Sequence, residues 1–403
     1  QGWIGGDIRV NVPLDRPADS RAQGHLEAKD IFLPRLLGPL SIDALSLTAA
    51  GDRVTVASSA LQWGETRFSL AGDVTAAAGE VRLDMDLSSD GIVWDNLVKT
   101  LPVTGDAGET ARDNEARAPA SVSAKWWPLP VTGTVRAAAK SFTYRRFTWK
   151  PARVDFLLGK ESIAATVREA DLCGVDTTGT VKITPTDIEL DFHGASAGRE
   201  INETLDCVHR ARVAMTGTYK IDVRLKGRGK PGLLARSLAG TADFRAEKGR
   251  IHKANLLSKV LAILNVTQLF FGKLPDLGEN GFAYNSMTIR GDVKDGKLGV
   301  RWARLDAASM NLTATGEYDF LADETNLTVL ASPLKTIDTI IRKLPIIGYI
   351  LRGSLVAVPV QVTGKLDDPT VFVLSPAALG SQVLGIFERT LKAPIRLFQP
   401  KKR

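Results

Sequence analysis

Apolar and polar residues alternate one for one through most of the first two-thirds of the chain. Val81, Leu83, Met85 and Leu87 alternate with Arg82, Asp84, Asp86 and Ser88. Ile188, Leu190 and Phe192 alternate with Glu189 and Asp191, and Tyr219, Ile221, Val223 and Leu225 with Lys220, Asp222, Arg224 and Lys226. Successive side chains of a strand point to opposite faces, so each run reads as a strand with one dry and one wet face. Parallel strands are usually covered on both sides, so one-sided burial argues for antiparallel sheet.

A second pattern marks the strand starts: a small or polar residue, then Gly, then any residue, then usually an apolar one. It recurs at Gly24, Gly72, Gly133, Gly179, Gly217, Gly240, Gly291, Gly316 and Gly364. Several intervals approximate one long hairpin or two, so the pattern reads as a loose repeat with a hairpin as its unit. Glycine inside a strand also marks a bulge or bend, and a repeated bend is how a sheet becomes regularly curved. The predicted fold is mainly β. It is a long, curled, antiparallel sheet of repeated hairpins with a groove-like apolar face.

Helices are few and expected mostly in the C-terminal third. Ile92–Thr100 and Leu233–Leu238 are short candidates. Asn255–Phe271 has a broad apolar face through Leu256, Leu257, Val260, Leu261 and Leu264. Thr336–Leu344 ends before Pro345, and Ala377–Leu391 carries Leu379, Val383, Leu384, Ile386, Phe387 and Leu391. Residues 103–120 are polar and rich in Gly, Asp, Glu and Arg, and read as a mobile insert. The organisation expected is an N-terminal β segment over 1–102, that insert, a middle β segment over 121–230, and a distinct region over 231–403.

The formal net charge is +7, and the residues from Glu388 to Arg403 alone carry six cations against one anion. Basic charge gathered in a tail, rather than spread over a face with stacking aromatics, argues against a nucleic-acid partner and fits an anionic membrane surface. The apolar stripe Leu379, Val383, Leu384 and Phe387, with Arg389 and Lys392 beside it, suits a helix lying in a membrane interface. It suits equally a cap over an open sheet edge. No uninterrupted apolar run approaches the ~18 residues of a membrane-spanning helix. The chain opens at Gln1 rather than Met, so a longer precursor bearing a signal or an anchor is expected. Cys173 and Cys207 lack zinc spacing. They form one disulfide in an oxidising compartment or remain two buried thiols, and the spacing leaves both open.

No motif carries catalysis. Gly194-Ala195-Ser196-Ala197-Gly198 matches a nucleophile elbow, but that motif needs a strand-to-helix turn in a parallel α/β sheet. Gly291–Lys297 nearly spells a phosphate loop, but Leu298 stands where Ser or Thr is required, and Asp295-Gly296 is a hairpin-turn signal. His25, His193, His209 and His252 are isolated, so neither a metal nor a cofactor is expected. An enzyme is not expected.

The later half carries a resemblance. Phe244–Ile251 leads into the Leu256–Phe271 segment, followed by Leu274-Pro275-Asp276-Leu277, Gly281-Phe282-Ala283-Tyr284 and Asp295-Gly296-Lys297-Leu298. Then come Leu344-Pro345-Ile346-Ile347-Gly348, Val358–Gly364 and Asp367–Val371. This order, densest over about residues 230 to 400, resembles the C-terminal region of the AsmA-like family of bacterial envelope proteins.

The resemblance implies a protein similar to bridge-like lipid transfer proteins. Such a protein is held in the inner membrane by a segment outside this chain and reaches into the periplasm. Phospholipid acyl chains would move along its hydrophobic β-groove towards the outer membrane. The groove lining expected on this reading is Leu83, Met85, Leu190, Ile221, Val223, Val300, Val329 and Val360. The partners expected are phospholipid, a membrane surface at the C-terminal end, and an outer-membrane or periplasmic protein. A periplasmic location favours the Cys173–Cys207 disulfide. The competing reading is a structural adaptor with a sealed core that supports outer-membrane protein assembly, since alternation alone fits a filled sandwich as well as an open groove.

Overall fold

The computed structural model describes residues 2–11, 21–33, 39–77, 80–99, 131–208, 213–230, 232–266, 281–308, 310–333, 349–351 and 355–375. Within them the protein is mainly β, with open, predominantly antiparallel sheet and four short helices. The chain divides into two compact units, residues 1–193 with 226–234, and residues 194–225 with 235–403.

The first unit opens with β1 (Trp3–Asn11), β2 (Arg21–Leu33), β3 (Leu40–Gly51), β4 (Arg53–Trp63), β5 (Thr66–Ala77) and β6 (Glu80–Ser89). Each pairs antiparallel with the next. On β6 the alternation is obeyed residue by residue, with Leu83, Met85 and Leu87 turned in and Arg82, Asp84 and Asp86 exposed. Next come β7 (Ile92–Val93), α1 (Trp94–Lys99), β8 (Val131–Ala139), β9 (Phe142–Tyr144), β10 (Phe147–Gly159), β11 (Ser162–Leu172) and β12 (Val175–Ile183). β10 pairs antiparallel with β8, β9 and β11, and β11 with β12.

Two pairings depart from the antiparallel expectation. β6 runs parallel to β8, and β7 parallel to β9. A parallel neighbour needs a crossover of a dozen residues or more, and residues 90–130 supply it.

The wet face of this sheet is laced by cross-strand ion pairs. Arg136 reaches Asp84 at 2.7 Å and Asp86 at 2.6 Å, Arg153 reaches Glu169 at 2.7 Å, and Arg168 reaches Asp155 at 2.7 Å. All are exposed, so each contributes only about 0–1 kcal/mol and serves mainly to fix register.

Seven of the nine recurring glycines adopt backbone that L side chains rarely reach. Gly24, Gly72, Gly133, Gly179, Gly217, Gly316 and Gly364 have φ between +88° and +149°. At Gly72 a Cβ would stand 2.2 Å from the Asp84 carbonyl oxygen, so the neighbouring strand approaches closer than any side chain permits.

After β12 the chain continues through β13 (Ile188–Glu200), α2 (Ile201–Cys207), β14 (Val213–Met215), β15 (Thr218–Gly229), α3 (Leu234–Ser237), β16 (Ala239–Ala254) and α4 (Asn255–Val266). The last strands are β17 (Phe282–Lys294), β18 (Lys297–Asp306), β19 (Met310–Asp319), β20 (Glu324–Pro333), β21 (Tyr349–Leu351), β22 (Leu355–Lys365) and β23 (Thr370–Val373). In the second unit β16 to β20 pair antiparallel in sequence order, and β20, β22 and β23 continue the ladder. Asp295 (φ +53°) and Gly296 (φ +77°) make the two-residue turn between β17 and β18, as their sequence predicts.

The described helices all precede residue 267. The expected helices at Thr336–Leu344 and Ala377–Leu391, the continuation of α4 to Phe271, and the insert over 103–120 lie outside the described residues.

A half-covered apolar face as the candidate functional site

Strand register carries one apolar face across the whole first unit. Ile8 lies opposite Gly24, Leu26 opposite Leu47, Val56 opposite Gly72, and Gly72 opposite Met85. Met85 then lies beside Val135, Val135 beside Phe156, Phe156 beside Ala165, and Ala165 beside Val181. Leu26, Leu47, Leu83, Val135, Phe156 and Val181 are only half-buried. The residues of this face that are fully buried are mostly small: Ala28, Ala49, Ala139 and Ala170, with Val56 and Met85. At β1 the same face is open, with Ile4 64% and Val10 61% exposed.

A sheet with one dry face normally buries it under a second layer. The second unit does so. Met287, Leu305, Leu312, Ala331 and Val358 align across five strands, and Ile289, Ala303, Ala314, Val329 and Val360 form the next row. Leu257, Val260 and Leu261 of α4 pack into the same core. The helix is fastened by Asn255 Nδ2, which donates to the Asp367 carbonyl at 2.7 Å, and by Lys259 Nζ, which donates to the Pro369 carbonyl at 2.7 Å. The largest fully buried side chains of this core among the described residues, such as Phe282, Met310 and Val360, all belong to this unit. In the first unit α1 packs on β7 and β9, and among the described residues no helix is seen to pack over the dry side of the other strands.

The expected lining residues therefore fall in two environments. Half-buried Leu83 and fully buried Met85 lie on the apolar face of the first unit, and half-buried Leu190 is on the first-unit part of β13. Val329 and Val360 are members of the sealed core, at 4% and 0% exposure, and Ile221 packs against it. Val223 and Val300 are half-buried in the second unit. Sequence alternation carries no information about the covering layer that separates these environments. The available signal was the second cluster of large apolar residues in α4. The stripe of Leu379, Val383, Leu384, Phe387, Arg389 and Lys392 lies outside the described residues.

Charge is confined to the wet side. Arg53 and Thr55 donate to the Asp73 carboxylate, and these two hydrogen bonds hold its pKa down at about 2. Hydrogen bonding to Arg136 likewise lowers Asp86. In the second unit burial, with the Glu200 carboxylate second, pushes Tyr284 up to about 12. Its hydroxyl donates to the Thr216 carbonyl at 2.7 Å, a structural bond.

Ser196 sits inside β13, a continuous strand, and its buried Oγ has no hydrogen-bond partner. It therefore lacks the turn that exposes a nucleophile. Among the described residues no group of three or more His, Cys, Asp or Glu side chains is arranged to hold a metal. No described helix is long and apolar enough to cross a membrane. Neither Cys173 nor Cys207 is a free thiol.

An antiparallel β protein with one dry face sealed in one unit and half-open in the other is the class that fold and site define. The family model described as YhdP protein matches residues 45–371, and the chain belongs to that family. The match begins well before residue 230, so it takes in most of the half-covered face as well as the sealed core. No curated protein and no solved structure matches the chain.

Proposed function

We propose that the first unit binds phospholipid acyl chains along its half-buried apolar face, as a segment of an AsmA-like envelope protein that conducts lipid through the periplasm towards the outer membrane. The observation that carries this reading is the apolar face running from β1 to β12, most of whose large side chains are only half-buried among the described residues. Each methylene withdrawn from water onto such a face contributes ~0.8 kcal/mol, without the directional contacts that would hold a lipid in one place. A continuous smooth face of this kind lets acyl chains slide. Leu83, Met85 and Leu190 are the lining residues on this reading. The ion-paired opposite side keeps the sheet soluble and its register fixed.

The sealed core of the second unit favours a companion role. A unit with a filled core suits docking to a protein of the envelope better than holding lipid, and the adaptor reading attaches to that half.

The test is mass spectrometry of lipid that co-purifies with the full chain after gentle extraction. Phospholipid in amounts comparable to protein is expected. A preparation that folds correctly and carries no lipid, even after incubation with phospholipid vesicles, overturns the reading.

A further inference from the structure

Residues 140–150 read Lys-Ser-Phe-Thr-Tyr-Arg-Arg-Phe-Thr-Trp-Lys, with four aromatics, four cations and no acid, in a chain only 6% aromatic. They form the β9–β10 hairpin at one end of the first unit. Tyr144 pairs with Phe147 and Phe142 with Trp149, which places all four rings on one face. Thr143 and Thr148 occupy the other, their hydroxyls 2.9 Å apart. Trp94 of α1, 41% exposed, leans on Phe142 with centroids 6.3 Å apart, and Phe142 lies 6.0 Å from Trp149.

The turn itself is Arg145-Arg146, and both residues are exposed. Arg145 has φ +54°, where Asn or Gly is the easy choice. A strained position given to arginine points to side-chain chemistry rather than conformation as the reason for the residue. The Arg145 guanidinium lies 5.4 Å over Tyr144, and Arg146 lies 5.1 Å over Phe147. The cations are thus held beside the rings. The Arg145 amide donates to Asp95 Oδ2 at 2.6 Å, and the Trp149 indole donates to Thr177 Oγ1 at 3.0 Å, so the tip is anchored to α1 and β12. Over residues 90–99 and 140–150, Lys99, Lys140, Arg145, Arg146 and Lys150 outweigh Asp90 and Asp95, five charges to two.

We propose that this tip docks on an anionic phospholipid bilayer, with Arg145 and Arg146 at the phosphates and Tyr144, Phe147 and Trp94 at the boundary of headgroups and acyl chains. Half-exposed rings with an adjacent excess of cations match that boundary in both polarity and charge. The docking does not require lipid to move along the face, so it stands apart from the proposed function.

The experiment uses the full chain with an environment-sensitive fluorophore on Ser141→Cys, beside the rings, and in a second protein on Glu161→Cys at the far end of β10. Each is mixed with phosphatidylglycerol-containing vesicles and with neutral phosphatidylcholine vesicles. A blue shift at residue 141 with the anionic vesicles alone, reversed by salt and absent at 161, is expected. Adding Arg145→Glu and Arg146→Glu should weaken the response by about tenfold or more, and Lys at both positions should restore most of it. Thermal melts establish that each variant is folded. A silent probe at 141, an equal response at 161, or full retention after charge reversal overturns the proposal. So does a probe at 141 that responds to an acidic protein and not to vesicles.

Discussion

Gly133 lies directly opposite Leu83 in the parallel pair of β6 and β8, with φ +126°, and a Cβ there would stand 1.9 Å from the Leu83 carbonyl oxygen. Backbone occupies the space of the missing side chain, so neither strand can yield without breaking the ladder that closes the crossover. Gly133→Ala is expected to lower unfolding free energy by about 2–4 kcal/mol. The control is Gly51→Ala, where φ is +74° but nothing lies within 4 Å of the added carbon. That change meets only the left-handed backbone penalty of about 1–2 kcal/mol. Urea denaturation of both proteins measures the difference, and equal losses would refute the close-approach argument.

Asp73 supplies a pH prediction. Hydrogen bonds from Arg53 and Thr55 lower its folded pKa from 3.8 to about 2. A depressed carboxylate pKa means that the stabilisation is fully present above the unfolded value and is lost as pH falls through the folded one. The window is therefore below pH 4, down to about 2. Carboxyl-carbon NMR should place the titration midpoint near 2, and Thr55→Val should move it upward. The pair is exposed, so the effect on overall stability is small.

Cys173 and Cys207 are the chain's two cysteines, and neither is a free thiol. Protein made in an oxidising compartment should therefore give no thiol labelling when denatured without reductant, and two labels after reduction. Joining positions this far apart in sequence removes about 4 kcal/mol of unfolded-chain entropy, so Cys173→Ser should lower stability by a comparable amount. Labelling of both cysteines without reductant would sink the pairing.

How far these features were legible depends on what each one rests on. The alternation of β6 and the Asp295-Gly296 turn are local, and residue order carries them. The close backbone approaches at Gly72 and Gly133 fall at positions of the recurring glycine pattern. The parallel match of β6 to β8 had no local signal, because it is set by the long path through residues 90–130. Period two reports which way a side chain points but not what stands over it. Leu83 and Val360 therefore look alike in sequence, although one is half-buried and the other lies in a sealed core containing α4. The Arg145-Arg146 turn escaped notice for a different reason. It lacks the Asn or Gly that marks a two-residue hairpin.

That distinction between Leu83 and Val360 gives the sharpest prediction. Leu83 is half-buried, so an aspartate there can remain hydrated, and Leu83→Asp should leave the cooperative thermal transition in place. Val360 is 0% exposed and packed among Val329, Val358 and Val362, so an aspartate there is an unpaired charge without water. Val360→Asp should abolish the cooperative transition of the second unit, a loss of several kcal/mol at least. Lipid retention should divide the other way. Leu83→Asp interrupts the apolar face with a charge and should lower the co-purified phospholipid per protein, whereas the conservative Leu83→Met should not. Circular dichroism melts and lipid-to-protein ratios on the same samples decide the matter. If Leu83→Asp unfolds as badly as Val360→Asp, the first face is sealed after all. If it folds and keeps its full lipid, acyl chains do not lie against Leu83.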